Sequence, residues 1–502
     1  MIEICISTFH SSRWKLLGQI IKKRFFKDVE DGKGSTIIQA LAGTGKTYSL
    51  IESLKYLPKN SSWLLAAFNK KIAEELKNRV WGGSTKSGPG EIATLHSLGL
   101  RSLSKTYKVT VDNDKVDTIF NLVFKNKKID KESKYALTRG VSLAKSYLAH
   151  TFDEIDEVLD EHDIVPDGIE RKEFINHILF ALNICKKKPS LVDFDDMIWL
   201  NCVLKTETPK FDHIFLDEGQ DFTAAMAEFC FKFRKPVSRY FIYLDENQML
   251  YQFRGSDAKV VSRFQETLQA KILPLSISYR CPKAVIREAQ KLVPSIEAAP
   301  NAIEGKVQDI MYSEMLKLAK PGCFILSRVN APLIGLALGF LKQGIPCNIQ
   351  GRNIGENLTG LIRKSKCKTI DKFLIYLEKW QKQETVRLLA RNKDAGQIKD
   401  RAECLFALAE GCSSVAELKS TIDKLFSDED DTKKIILSSI HQAKGLQRDT
   451  VFVLNYTLRY TDHAERCCAY VAKTRAVKEM YLVGSKKQEK EKNKEMVKEG
   501  KT

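Results

Sequence analysis

No run of this 502-residue chain is long and apolar enough to cross a bilayer; the longest, Ala331 to Leu341, falls short of the roughly 20 residues a spanning helix needs. The amino terminus lacks the charged-then-apolar layout of an export signal, having Glu3 and His10 around a short apolar run, so no export is expected. There is no Cys-x-x-Cys pair among the 12 cysteines, and the adjacent Cys467 and Cys468 suit neither a zinc site nor an easy disulfide. Reduced, buried thiols in an intracellular protein are expected, and cysteine-bound metal is not. Internal repeats strong enough to use are absent as well. Apolar residues, by contrast, are not scarce. At 43% hydrophobic and 29% charged the composition is that of a globular protein, neither disordered nor membrane-embedded.

Acidic residues are the under-represented class, 63 against 81 Lys and Arg, for a formal charge of +18. The tail from Lys486 to Thr502 carries seven lysines and four glutamates, so only +3 of that excess resides there. The tail reads as a solvated, frayed helix. The remaining +15 belongs to the folded body, as expected where a phosphodiester backbone must be held, although basic charge alone does not decide for nucleic acid. The length suggests three or four domains, each able to bury a core.

Residues 40–47 read Ala-Leu-Ala-Gly-Thr-Gly-Lys-Thr between a strand-like run (Thr36, Ile37, Ile38) and a helix-like one, the setting a phosphate-binding loop requires. Without side chains at Gly43 and Gly45, successive backbone N–H groups can turn toward phosphate oxygens, and the following helix N-terminus adds positive potential. The nucleotide-holding set is therefore Ala40, Leu41, Ala42, Gly43, Thr44, Gly45, Lys46, Thr47 and Tyr48. Lys46 meets the β and γ phosphates, and Thr47 offers its hydroxyl to Mg²⁺. Further along, HIFLDEGQD puts Asp217 and Glu218 at the end of an apolar strand, where ligands gather in parallel α/β sheets. Asp217 is expected on the Mg²⁺ hydration shell, and Glu218 on the water that attacks the γ-phosphate.

Strand-like runs at Trp63–Phe68, Phe211–Leu216, Tyr240–Leu244 and Ile272–Leu275 belong with the first sheet; Gly322–Ser327, Cys347–Gln350, Lys434–Ser438 and Val451–Leu454 suggest a second. Charged helical patterns interrupt both. The expected organisation is a first α/β core (1–99 and 189–271) with a helical insertion (100–188), a second core (272–352 and 431–485) with a shorter helical insertion (353–430), and a flexible tail (486–502).

These motifs, with AAFNKKIAEEL at 66–76, IATLHSLGL at 92–100, DFDDMIWL at 193–200, LDENQMLYQFRGSD at 244–257, LSISYRCP at 275–282, SSIHQAKGLQ at 438–447 and YVAKTRA at 470–476, resemble in order a superfamily 1 DNA helicase of the UvrD/Rep type, closer to its compact F-box-helicase-like and phage-like members. The resemblance implies two RecA-like parallel-sheet P-loop NTPase domains with ATP between them, and 3′ to 5′ movement on single-stranded DNA. By the same resemblance Gln248 senses the γ-phosphate, Arg280 and Arg475 serve as arginine fingers, Tyr279 stacks on adenine, and Thr94, His96 and His441 contact DNA. Aromatic residues inside polar loops suggest the rest of a base-stacking track, with Phe68 and its neighbour Asn69, Tyr251, Phe253 and Arg254.

Expected ligands are ATP, Mg²⁺, single-stranded DNA and single/double-strand junctions, for a monomer in the cytoplasm of a bacterial or phage-infected cell, or in the nucleus of a eukaryote. No membrane partner is expected. The chain departs from the family pattern at Gly219 (usually Ala), at Leu244-Asp245 (usually Gly-Asp) and at Gln447 (usually Glu), and Gln19 in LLGQIIKKR is a candidate for the adenine-reading glutamine. Because Thr502 follows soon after the last motif, an additional nuclease domain is not expected. A DNA-binding protein with a decayed ATPase and an RNA motor are the alternatives.

Overall fold

A computed structural model describes residues 25–30, 33–67, 69–82, 88–125, 131–162, 164, 169–250, 259–389, 395–426, 432–485 and 488. The chain divides after Leu275 into two compact units.

In the first unit the strands are β1 (Thr36–Ala40), β2 (Trp63–Ala67), β3 (Gly90–Thr94), a short β4 (Thr110–Val111) and β5 (Leu191–Val192), then β6 (Phe211–Leu216), β7 (Arg234–Leu244) and β8 (Lys271–Leu275). Six of them form one sheet in the order β3-β2-β6-β7-β1-β8, each pair parallel. Central strands of such a sheet are covered on both faces, and β2, β6 and the second half of β7 are correspondingly largely apolar and buried. Alternate residues enter different cores: Ile37, Leu64, Ile214 and Ile242 pack on one face, and Ile38, Leu65, Phe215 and Phe241 on the other.

After a one-turn helix at Lys27–Glu30, the longer helices of this unit are α1 (Lys46–Ser53), α2 (Lys70–Trp81), α3 (Leu95–Thr106), α4 (Lys115–Val123), α5 (Lys131–Tyr147), α6 (Phe152–Glu161), α7 (Arg171–Lys187), α8 (Asp196–Val203), α9 (Ala224–Phe231) and α10 (Val260–Leu268). The starts are encoded locally. Asn69 caps α2 by accepting from the Ile72 N–H, Thr94 caps α3 through Ser97 N–H, and Thr151 with Glu154 forms a reciprocal capping box on α6. Helices α4 to α7, with Leu103 of α3 and Met197, Trp199 and Leu200 of α8, gather around a core distinct from those of the sheet, which includes Phe120, Val141, Leu159, Phe174 and Ile178.

The second unit contains β9 (Ile277–Ser278), β10 (Glu297–Ala298), β11 (Lys306–Ile310), β12 (Phe324–Ser327), β13 (Cys347–Ile349), β14 (Ile435–Ser439), β15 (Arg448–Val453) and β16 (Ala476–Val483). Its main sheet is again parallel, ordered β11-β16-β15-β12-β14-β13. The helices are α11 (Lys283–Gln290), α12 (Tyr312–Leu318), α13 (Ala331–Lys342), α14 (Arg352–Ser365), α15 (Ile370–Leu389), α16 (Gly396–Ala409), α17 (Val415–Leu425) and α18 (His463–Lys473). Here the described residues of α15 to α17 share the core of the sheet. Phe373, Leu377, Leu405, Leu418 and Ile422 join the same cluster as Ile325, Leu437 and Phe452 of the sheet.

Two parallel-sheet α/β units interrupted by helices are what the apolar runs predict, and two RecA-like units are what the family resemblance implies. Strands β3, β11 and β16 were not among those expected. Each mixes polar with apolar residues, as in Lys306-Val307-Gln308-Asp309-Ile310, and β3 and β11 lie at sheet edges where one side needs no apolar cover. No helix among the described residues is long and apolar enough to cross a membrane.

Candidate functional site

All six strands of the first sheet run the same way, so the loops after β1, β6 and β7 emerge at one carboxyl edge. The loop after β1 turns through Gly43 (φ 75°) and Gly45 (φ 90°), two left-handed positions at which a side chain is strained. Its shape is fixed internally. Thr44 Oγ1 donates to Leu41 O at 2.8 Å, and Leu41 N–H donates to Leu275 O at 3.0 Å. Gly45 is the residue before α1, so Lys46, Thr47 and Tyr48 occupy its first turn, whose N–H groups have no acceptor within the helix itself.

Lys46 Nζ is buried and, among the described residues, has no hydrogen-bond acceptor; its nearest ionic neighbour is Glu218 Oε1 at 3.2 Å. A buried ammonium without a hydrogen bond, next to a glycine turn and a helix N-terminus, fits the phosphates of a nucleotide. Asp217 directly follows β6, is 4% exposed, and accepts the Glu218 N–H through Oδ1 at 3.0 Å. With the Thr47 hydroxyl it supplies hard oxygen donors of the type Mg²⁺ takes, so the donor set fits that ion.

Glu218 itself has φ 55°, a left-handed conformation that costs a non-glycine residue about 1–2 kcal/mol. Its carboxylate heads a continuous polar chain. Gln220 Nε2 donates to Glu218 Oε2 at 2.5 Å, Asp245 N–H donates to Gln220 Oε1 at 3.0 Å, and Gln248 Nε2 donates to Asp245 Oδ2 at 2.5 Å. Burial pushes the Asp245 carboxyl above the ordinary range, opposed chiefly by the Lys46 charge. The chain thus ties Glu218 to the segment that leads on to residues 251–254. Gln220 and Asp245 were present in the quoted motifs, but nothing in their spacing showed that they link Glu218 to Gln248.

The glycine at 219 has a steric reason. A Cβ there would lie 2.8 Å from Ile242 Cγ2 on β7, so the alanine usual at this position does not fit against isoleucine.

Along the same unit, Asn69 and Thr94 use their side chains as helix caps, at 2.9 and 3.2 Å. His96, in the first turn of α3, stacks on Phe194 with ring centroids 3.8 Å apart and 19° between planes. Phe194 is 55% exposed although it lies between buried acids, and sequence reasoning did not single it out. An exposed aromatic inside Asp-Phe-Asp-Asp was the available signal. Burial lowers the His96 pKa to about 4. Because the folded value lies below the unfolded one, the unfolded state binds more protons from about pH 6.5 down to 4; the associated stability is present above pH 6.5 and is lost as pH falls through that window. His96 is expected to be neutral from pH 6 to 8, read as an imidazole NMR resonance that does not titrate there. A midpoint near 6.5 would contradict it.

In the second unit, Arg280 Nη1 donates to Thr474 O at 3.4 Å, which brings its segment against the turn carrying Arg475. Arg475 is 1% exposed and donates to Val471 O, Leu446 O and Thr474 Oγ1. The buried Lys473–Glu288 pair, 2.7 Å, fastens the end of α18 to α11 beside them. Burial raises the Tyr279 hydroxyl, and the Tyr279 ring is partly buried. His441 lies in the turn after β14, with Nε2 4.0 Å from Cys468 Sγ. Gln447 is exposed. Four of the expected track residues, Phe68, Tyr251, Phe253 and Arg254, and also Gln19, lie outside the described residues.

Residues 21–269 match the family model for the UvrD/REP helicase N-terminal domain, and residues 434–483 match that for the UvrD-like helicase C-terminal domain. Among curated relatives, the F-box DNA helicase protein 1 of Schizosaccharomyces pombe is 27% identical over 458 residues, 82% of this chain and 50% of that protein. The ATP-dependent DNA helicase PcrA of Bacillus subtilis is 24% identical over 53% of this chain and 38% of its own length. A probable DNA helicase II homolog of Mycoplasma genitalium is 22% identical over 58% of this chain and 45% of its own. The chain thus spans about half or less of the length of these relatives.

Proposed function

The chain belongs to the UvrD/Rep helicase family, and from that premise we propose that it is an ATP-dependent DNA helicase and single-stranded DNA translocase moving 3′ to 5′. The observation that carries the reading is the buried Lys46 ammonium, facing Glu218 at 3.2 Å without a hydrogen bond, at the edge where the phosphate loop and the Asp217 strand converge. Such an ammonium is an anion site held shut by one carboxylate.

A triphosphate entering this edge offers Lys46 stronger acceptors than Glu218 does, and the exchange frees the Glu218 carboxylate to orient and deprotonate the attacking water. Mg²⁺, held by Thr47 and Asp217, would supply charge neutralisation on the β and γ oxygens. Gln248 reports the state of that carboxylate through Asp245 and Gln220. Arg280 and Arg475 supply positive charge to the transferred phosphoryl group; for Arg475 this requires release of the backbone carbonyls it now satisfies. Tyr279 stacks on the base.

On the DNA side, stacking contributes about 1–3 kcal/mol per base and tolerates any sequence, which a motor on arbitrary DNA needs. Neutral His96 with Phe194 serves as a ring platform rather than a cation. Asn69 and Thr94 place two helix N-termini where phosphates can approach. Phe68, Tyr251, Phe253 and Arg254 extend the track, and His441 contacts DNA from the second unit. Alternating grip, gated by hydrolysis, moves the strand.

The test is unwinding of a duplex with one single-stranded tail. Activity is expected with a 3′ tail only. Activity confined to 5′ tails would refute the polarity, and absence of unwinding and of translocation on either would refute the motor.

A further inference from the structure

The loop that presents Phe194 is built around four buried charges. Lys115, the first residue of α4, is 2% exposed and donates to Asp196 Oδ2 at 2.5 Å. Lys145, on α5, is 1% exposed; its Nζ donates to Asp193 Oδ2 at 2.5 Å and lies 2.8 Å from Asp196 Oδ1. The two aspartates also brace each other, Asp196 N–H donating to Asp193 Oδ1 at 2.7 Å and Asp193 N–H to Asp196 Oδ2 at 3.2 Å. With both ends locked inward, Phe194 is the residue between them that points out, onto His96.

Cys185, Asp193 and Asp196 come close enough to suggest a metal site, but the two ammonium groups already neutralise those carboxylates. Burial disfavours the Lys145 charge, and the Asp196 and Asp193 carboxylates outweigh it. A buried ion quartet is costly to assemble and a weak source of stability; what it supplies is fixed geometry. The opposite ring is fixed too. Asn201 Nδ2 bonds Gly99 O and Met197 O, and a Cβ on Gly99 would lie 1.8 Å from Met197 O, so α3 and α8 touch through backbone just beyond the two rings.

We propose that Lys145 and Lys115 are positioning residues of the DNA track: contributed by the helical region, they lock the Asp193–Asp196 turn so that Phe194 and His96 form one rigid platform for a base of single-stranded DNA. This inference rests on the translocase reading. It makes the helices α4 and α5, remote from the phosphate loop in sequence, part of the DNA site.

The experiment uses the full chain and measures ATP hydrolysis against single-stranded oligonucleotide, with DNA affinity read separately by fluorescence anisotropy. Phe194→Ala should weaken DNA binding by roughly 5- to 100-fold, the loss of one stacked base. Lys145→Met should weaken it to a similar degree while leaving DNA-free turnover and the KM for ATP unchanged. The double variant should bind no more weakly than either single one, because Lys145 acts only through the ring. Should Lys145→Met fail to fold, Lys145→Met with Asp193→Asn removes the charges as a pair, and the same comparison is made in that background.

Equal, non-additive losses support the proposal. Unchanged DNA affinity in a folded Lys145 variant, a further loss added to Phe194→Ala, or a parallel fall in DNA-free turnover overturns it while leaving the translocase reading intact. Absence of any DNA response in the wild type removes that reading and this proposal together.

Discussion

Glu218→Gln is expected to lower DNA-stimulated ATP turnover by about 10²- to 10⁴-fold, the range over which a positioned general base contributes. The substitution keeps size and shape, and a glutamine can still accept the Gln220 amide, so the left-handed turn at 218 is retained. What disappears is the charge facing Lys46 and the ability to take a proton from water. With the carboxylate 3.2 Å from its ammonium neutralised, Lys46 should hold phosphate at least as well as before. Nucleotide binding measured by equilibrium titration is therefore expected to survive, separating chemistry from affinity. A fall of less than tenfold would show that Glu218 is not the base, and would favour a DNA-binding module whose ATPase has decayed.

Arg280→Ala should be more severe still, about 10³- to 10⁵-fold in turnover, the range known for arginine fingers. Arg280 is the better test of the pair. It is partly exposed and gives one long bond to Thr474 O, whereas Arg475 satisfies the carbonyls of Val471 and Leu446 from a buried position. Removing Arg475 would take a hydrogen bond from each of those buried carbonyls, where an unmet acceptor costs about 1–3 kcal/mol, and would mix folding with catalysis. Arg280→Lys should not restore the rate, since an ammonium lacks the planar fork that meets two phosphoryl oxygens. Turnover within tenfold of wild type, in a variant with an unchanged melting temperature, would remove Arg280 from the reaction.

What could be read from the sequence was what is local. The glycine turn, the helix after it and the carboxylates following β6 each depend on a few adjacent residues, and strands buried on both faces announce themselves as unbroken apolar runs such as Tyr240–Leu244. Edge strands β3 and β11 did not, because their exposed side is polar. Long-range polar geometry was equally silent. Lys46 and Glu218, or Glu218 and Gln248, are brought together by strand order, and no spacing encodes that. Lys115 and Lys145 were harder again. Lysine is ordinarily solvated, so nothing marks these two as buried until Asp193 and Asp196 are seen beside them. The cores of the two helical regions also differ, one distinct from those of its sheet and one shared with its sheet, a distinction that amphipathic patterns alone do not carry.

The most direct measurement is the rate of ATP hydrolysis by the purified chain with and without single-stranded DNA, repeated across salt concentrations. A saturable rise in turnover with DNA is expected, with an apparent DNA affinity that falls steeply as salt increases because phosphate contacts release counterions. A rate that is the same whether or not DNA is present would contradict coupling of the nucleotide site to a DNA track.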